Sequence, residues 1–232
     1  MADQFFNKRK GQKKKREDAC REIQPFRYLI VCEGEKTEPL YFEGIRKRIN
    51  DKYGDKIRVK EINAERIDID GTGRNTEDLV RYALEKKQKA LIPYGHVWCV
   101  FDKDSFSDQQ FNSAIQVCES NGLSVAWSNE AIELWFILHF EYLNTGIDRQ
   151  QYICKLNDYF SHYMINNGKY KKNLANIFDV LMEVGDLGKA IKFAKKLDES
   201  YCRDKSPANR KPATKVYELI EELLEYLGEP II

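Results

Sequence analysis

Two short apolar segments, each ended abruptly by acidic residues, constrain the fold of this chain most strongly. The first segment, residues 26–32, is followed by Glu33-Gly34. The second, residues 97–101, is followed by Asp102-Lys103-Asp104. Short, continuous apolar runs bounded by turn residues are typical of strands that are buried on both faces. We therefore expect both strands inside one sheet, with their acidic ends at its rim.

Helical patterns alternate with these strands along the first 147 residues. Further strand-like runs lie at residues 57–62 and 123–127, and Gly71-Thr72-Gly73 marks a loop. Helical spacing of apolar residues indicates helices at about residues 39–50, 75–89, 108–121 and 131–141. Strands that alternate with helices of this length favour βαβ units and a parallel sheet. The predicted fold class is α/β.

Three regions follow from changes in composition. Residues 1–24 are polar and strongly basic and predict a flexible arm, either a solubilising tail or an arm that contacts phosphates. Residues 25–147 form the α/β core. Residues 148–232 lose the strand signals and carry helical patterns at 149–163, 172–183, 186–199 and 213–227. We expect this last region to be a helical extension packed on the core.

Net charge does not reveal a partner, because 38 Lys and Arg residues almost balance 37 Asp and Glu residues. A nucleic-acid partner must therefore be argued from the position of the charges. Two basic loops lie in the helical region, at residues 169–172 and 203–215. They are either solvated or line a nucleic-acid groove beside an acidic site. The candidate nucleic-acid-binding residues are Lys103, Lys171, Lys172, Arg203, Arg210, Lys211 and Lys215.

Several classes of protein are disfavoured by the sequence. The six cysteines include no CxxC pair, and with three scattered histidines they do not form a zinc pattern. Reduced, buried thiols in a cytoplasmic protein are expected. No apolar stretch follows the basic N-terminus as in a signal peptide, and none approaches the about 20 residues that a membrane helix needs. We expect no association with a membrane.

The acidic strand ends predict a metal site. Ligands of parallel α/β sheets gather outside the carboxyl ends of the strands, so Glu33 would meet Asp102 and Asp104 if the two strands are neighbours. Residues at i and i+2 of an extended segment point the same way, which lets both aspartates share one cation. Oxygen ligands without nearby His or Cys select Mg²⁺ or Mn²⁺. Glu38 and Glu133 are further candidates for a second ion or a catalytic base.

Each of these signals also has a structural interpretation. A DxD at the end of a strand commonly caps the following helix, and Glu-Gly is ordinary turn chemistry. Glu133 lies in an apolar helix, where it needs either a metal or a cationic partner. His139 is either a core histidine or a general acid or base. Only the order and combination of the acidic motifs favours a functional site.

The motifs also resemble a known family. Residues 28–38 resemble the first Toprim motif in the form found in overcoming-lysogenization-defect nucleases, and residues 100–104 resemble the Toprim DxD. From about residue 25 onward the chain resembles the RloB-like family, which occurs in phage-defence (abortive-infection) loci. The segments that carry this closer resemblance are residues 71–75, 128–140, 170–172 and 206–217.

This resemblance implies a Toprim, Rossmann-like fold with a mainly parallel sheet, flanking helices and a divalent metal. It further implies a nuclease that acts beside an AAA- or ABC-type ATPase. By motif position, Glu33 is the family glutamate, and Asp102 and Asp104 are the metal-binding aspartates. The chain departs from the pattern twice: Glu38 follows Glu33 by five residues instead of the usual four, and Glu130 replaces a frequent proline.

Three functions are compatible with these motifs. The first is a metal-dependent nuclease, the effector of an antiphage system with an ATPase partner. The second keeps the fold but cuts RNA, as a tRNA-cleaving toxin. The third is a non-catalytic Toprim subunit that regulates the ATPase. The sequence leaves open the choice between DNA and RNA, and it also leaves homo-oligomerisation open.

Overall fold

The computed structural model describes residues 24–59, 62–104, 106–201 and 206–227. The strands are β1 (Gln24–Cys32), β2 (Lys56–Val59), β3 (Ile62–Glu65), β4 (Ile67–Gly71), β5 (Tyr94–Asp102), β6 (Ser124–Asn129) and β7 (Ala213–Thr214). The α-helices are α1 (Thr37–Tyr53), α2 (Thr76–Lys89), α3 (Asp108–Ser120), α4 (Glu133–Leu138), α5 (Arg149–His162), α6 (Ile177–Val184), α7 (Leu187–Ser200) and α8 (Val216–Leu227). Short 3₁₀ helices lie at Asn166–Gly168 and Pro207–Asn209.

A five-stranded sheet in the order β4-β1-β5-β6-β7 forms the centre of the protein. The first four strands of this order are parallel, and β7 is antiparallel to β6. The chain runs from β1 outward to β4 and then returns to the other side of β1 for β5. The order of the strands therefore reverses between β1 and β5. In open α/β sheets, ligand crevices form outside the carboxyl ends of the strands at such a reversal.

Residues 28–32 of β1 and 97–101 of β5 are buried on both faces of this sheet, which explains their continuous apolar sequence. Along β1, Ile30 and Cys32 belong to one apolar cluster, whereas Leu29 and Val31 belong to the cluster on the opposite face. Helices α2 and α3 supply buried residues to the second cluster. Helices α1 and α4 to α8 supply buried residues to the first. The predicted α/β class with a mainly parallel sheet and flanking helices is confirmed.

The second strand of the sheet was predicted in the wrong place. Residues 57–59 lie in β2 and residue 62 begins β3 of a separate antiparallel hairpin, and the strand that joins the sheet is β4. The sequence of β4, Ile-Asp-Ile-Asp-Gly, alternates apolar and acidic residues, and only Ile67 is fully buried. As an edge strand, β4 lacks the apolar run that identifies β1 and β5.

The C-terminal region contains the four predicted helices and one strand that was not predicted. Helix α6 begins at Ile177, five residues later than the predicted start at 172. Strand β7 has only two residues, too few for a periodic signal, and it extends the sheet beside β6. The described part of this region therefore contributes to the sheet as well as to the first apolar cluster. The predicted basic arm lies outside the described residues, apart from residue 24.

Helix α8 is joined to the sheet by polar contacts. The Glu222 carboxylate accepts hydrogen bonds from Trp98 Nε1 at 2.9 Å and from Tyr28 Oη at 3.2 Å, and it also contacts His96. These contacts fix α8 across β1 and β5. In the described ranges no helix combines the length and the apolar character that crossing a membrane requires.

Candidate metal centre

The ends of β1 and β5 lie side by side, as the sequence predicts. The Glu33 N–H donates to Val100 O at 2.9 Å, so Glu33 still pairs with β5. Its carboxylate turns toward the next strand end, where Oε2 accepts from the Asp102 N–H at 3.3 Å. Asp102 is the last residue of β5 and is only 5% exposed. Glu33 and Asp102 thus meet at the point where the strand order reverses.

Two glutamates from the first turns of helices join this pair. Glu38, in the first turn of α1, is 5% exposed, and a Cβ atom added to Gly34 would overlap its carboxylate. The Glu38 carboxylate therefore lies against the turn that follows Glu33. Glu133 is the first residue of α4 and is 1% exposed. Its Oε1 accepts a hydrogen bond from the hydroxyl of buried Tyr170 at 3.3 Å.

The two aspartates share one cation, but that cation is an arginine. Arg149 places its two terminal nitrogens 2.5 Å from Asp102 Oδ2 and 2.5 Å from Asp104 Oδ2. Its Nε lies 3.4 Å from Glu133 Oε2, but the two atoms are not aligned for a hydrogen bond. One guanidinium group therefore contacts three carboxylates through its three nitrogens. We refer to these three carboxylates, together with those of Glu33 and Glu38, as the acidic cluster.

Burial and mutual repulsion make ionisation of Glu33, Glu38 and Asp102 unfavourable. Burial raises the pKa of Glu33 to about 7, although the Asp102 N–H opposes this shift and Glu38 adds to it. Burial also raises the pKa of Asp102, with Glu38 adding to the rise and Arg149 opposing it. Burial likewise raises the pKa of Glu38, and its own backbone N–H partly offsets the rise. The Arg149 charge lowers each of these three pKa values, but burial outweighs it.

The chemistry of the donor set suits a hard divalent cation, although its arrangement in this structure does not form a metal site. All the acidic groups are carboxylates, and the buried oxygens Glu38 Oε2 and Glu133 Oε2 have no hydrogen-bond partner. A buried carboxylate oxygen without a partner is costly, and a Mg²⁺ or Mn²⁺ ion would compensate it. Nevertheless, among the described residues no three His, Cys, Asp or Glu side chains are arranged closely enough to hold a metal ion. The Arg149 guanidinium lies between the carboxylates that a cation would share.

The residue between the aspartates points away from them. Lys103 Nζ lies 2.9 Å from Asp108 Oδ1 and donates to the carbonyl of Phe106. Asp104 is exposed and has a φ of 32°, and its N–H donates to the Glu130 carbonyl at 3.0 Å. This left-handed turn brings the Asp104 carboxylate back to Arg149.

The other proposed nucleic-acid contacts fall into two groups. Lys171 and Lys172 are exposed. The backbone carbonyl of Lys172 accepts a hydrogen bond from Thr37 Oγ1 at 3.1 Å. The positive charge of the Lys172 side chain lowers the pKa of Glu38. This loop therefore borders the acidic cluster. Arg210, Lys211 and Lys215 form ion pairs with carboxylates, whereas Arg203 lies outside the described residues.

Arg210 and Lys215 line a groove beside β6. Both side chains pair with Asp198, at 3.1 and 2.8 Å, and Lys215 also pairs with Glu218 at 2.6 Å. The groove has a volume of about 530 Å³ and is walled on its other side by α3. Their positive charge is thus largely compensated within the protein.

Sequence reasoning missed Arg149 and Tyr170. Arg149 is the first residue of α5, where the positive end of the helix dipole disfavours a cation, and the first turn of α5 holds no acidic residue. An unfavourable arginine at this position was an available signal that it has acidic partners elsewhere. His139, by contrast, is fully buried with its ring edge-on to Trp135, and burial lowers its pKa to about 3. Its place in the core matches the structural interpretation.

Replacing Glu38 with glutamine is expected to raise the melting temperature of the metal-free protein at pH 8. The substitution replaces a buried carboxyl group whose ionisation is unfavourable and whose Oε2 lacks a partner. We expect a gain of about 2 to 4 °C, the shift that about 1 kcal/mol produces in a chain of this size. Thermal unfolding in EDTA measures the effect.

The pH dependence of this gain has a definite sign. The folded-state pKa of Glu38 is raised, so wild-type stability falls as pH rises through that pKa, whereas glutamine does not titrate. The gain should therefore be smaller at pH 5 than at pH 8. Glu35→Gln, at an exposed position, serves as the control and should change little. A Glu38→Gln protein less stable than wild type at pH 8 would contradict this interpretation.

Fold and site together define an α/β protein with a buried carboxylate cluster at the strand-order reversal of a parallel sheet. The family model for RloB-like proteins matches residues 28–223. The chain therefore belongs to the RloB-like family. No curated protein and no solved structure shows a significant match to the chain.

Proposed function

We propose that this protein is a divalent-metal-dependent nuclease that cleaves phosphodiester bonds of a nucleic acid. One observation carries the proposal: a cluster of buried carboxylates, two of whose oxygens lack a hydrogen-bond partner, lies where parallel sheets bind ligands. Such a cluster is costly when it is ionised, and a bound cation would offset that cost. The likeness of both acidic motifs to the Toprim pattern supports the same assignment.

The residues take distinct roles in this proposal. Glu33, Asp102 and Asp104 would hold Mg²⁺ or Mn²⁺, which when bound supplies charge neutralisation at a scissile phosphate and lowers the pKa of water. Glu38 and Glu133 are the further catalytic candidates. Burial raises the pKa of Glu38, which suits it to take a proton from an attacking water. Lys171 and Lys172 border the cluster and would hold the phosphate backbone near it.

The biological setting is proposed from the family resemblance. The protein would act in the cytoplasm as the effector of an abortive-infection system and would be controlled by an AAA- or ABC-type ATPase. Among the described residues no stacking module for single-stranded bases is recognisable, so DNA and RNA both remain in the proposal. An RNase that cuts tRNA is the second form of the same activity.

The test is incubation of the purified protein with plasmid, single-stranded DNA and total tRNA in Mg²⁺, Mn²⁺ or EDTA. The proposed AAA- or ABC-type ATPase partner should be present in a parallel series, because a partner that gates activity would leave the isolated protein silent. Cleavage in either metal that EDTA abolishes is expected. A lack of cleavage in every combination would favour the non-catalytic regulatory subunit.

A further inference from the structure

The contacts of Arg149 differ from those of an ordinary structural ion pair. Its terminal nitrogens contact Asp102 and Asp104, the two aspartates that the proposed function assigns to the metal. Its third nitrogen faces Glu133 at 3.4 Å. The guanidinium therefore lies at the position from which a divalent cation would contact the same oxygens.

Arg149 only partly compensates the carboxylates around it. Glu133 Oε2, although 3.4 Å from Nε, has no hydrogen bond, and Glu38 Oε2 also has none. The arginine side chain remains about a quarter exposed, so it has a path toward solvent. It also begins α5, where the helix dipole repels a cation. These features describe a counter-ion that can leave the cluster.

We propose that Arg149 is an exchangeable counter-ion, which neutralises the acidic cluster in the metal-free protein and is displaced from Asp102 and Asp104 when a divalent cation binds. This inference rests on the proposed function, because it assumes that the cluster takes a metal. Displacement of the guanidinium subtracts from the free energy of metal binding. The arginine thereby sets the metal concentration at which the site fills.

A purely structural role for Arg149 predicts the opposite effect on metal binding. If the guanidinium only held the carboxylates in place, its removal would scatter them and weaken metal binding. If it competes with the metal, its removal leaves the oxygens available and strengthens binding. The sign of the change in Mn²⁺ affinity therefore separates the two roles without any measurement of cleavage.

The experiment compares Mn²⁺ binding to wild type, Arg149→Gln and Lys155→Gln by isothermal titration of metal-free protein. Lys155 lies on the same helix but pairs with Glu141 at 2.7 Å, so this control removes an equal charge without touching the cluster. We expect the dissociation constant to fall about 10-fold or more in Arg149→Gln, within the usual range of coupling between two ligands. Lys155→Gln should match wild type.

Arg149→Lys provides a second test that keeps the positive charge. A single ammonium cannot span two carboxylates as the guanidinium does, so an affinity between those of wild type and Arg149→Gln is expected. Unchanged or weaker Mn²⁺ binding by both variants, with thermal unfolding in EDTA still cooperative, would overturn the proposal. Absence of Mn²⁺ binding by all the proteins would overturn it as well. The proposed nuclease function fails on a different result, the absence of metal-dependent cleavage by wild type.

Discussion

Replacement of Asp102 by asparagine is expected to lower Mg²⁺- or Mn²⁺-dependent cleavage by at least about 1,000-fold. The variant keeps the shape of a side chain at the tip of β5 but removes a carboxylate that the proposed function assigns to the metal. A bound metal contributes several kcal/mol of charge stabilisation in the transition state, and about 4 kcal/mol corresponds to about a thousandfold in rate. Initial rates on the substrate that wild type cleaves best measure the loss. Glu33→Ala should behave in the same way.

The matched control is Asp179→Asn, which removes one carboxylate from an exposed position on α6. This variant should cleave at the wild-type rate. Near-UV and far-UV circular dichroism would verify that Asp102→Asn keeps the native fold. A folded Asp102→Asn protein that cleaves within a few-fold of wild type would remove Asp102 from the catalytic machinery.

Truncation of Trp135 to alanine is expected to cost about 4 kcal/mol of unfolding free energy, in the range for large aromatic residues in a core. The side chain is 0% exposed and lies in the first apolar cluster, on the helix that carries Glu133. The effect combines lost burial with a cavity that the surrounding helices cannot fill. Urea unfolding followed by circular dichroism measures the free energy.

Leu91→Ala is the control for this core substitution, because Leu91 is 74% exposed. Its free energy of unfolding should stay within about 0.5 kcal/mol of the wild-type value. A loss below about 1 kcal/mol for Trp135→Ala would mean that α4 is not packed as the structure has it, since measured costs for buried tryptophan are much larger. The position of Glu133 would then be in question too.

The central part of the fold could be predicted because the relevant signals are local. Residues 28–32 of β1 and 97–101 of β5 are buried on both faces, so each segment appears in the sequence as an uninterrupted apolar run. Their ends are marked by Glu33 and Asp102. The parallel arrangement was inferred from the alternation of strands with helices. In a parallel pair, Glu33 and Asp102 lie at the same edge of the sheet. Burial and connectivity were enough to predict this part of the candidate site.

The remaining features depend on contacts between distant parts of the chain. Strand β4 pairs along one edge only, and β7 is a strand because β6 lies beside it, so neither carries a strong pattern of its own. The contact of Arg149 with Asp104 joins residues 45 positions apart. Arg210 and Lys215 appeared available in the sequence, yet both pair with Asp198 in the fold.

We propose that the carboxylates at the ends of β1 and β5 bind one hard cation. The most direct test is X-ray diffraction from crystals grown with Mn²⁺, with data collected at the manganese absorption edge. We expect an anomalous peak at coordination distance, about 2.1 Å, from oxygens of Glu33 and Asp102. Ordered Glu33 and Asp102 side chains with no anomalous peak between them, at a saturating Mn²⁺ concentration, would contradict it.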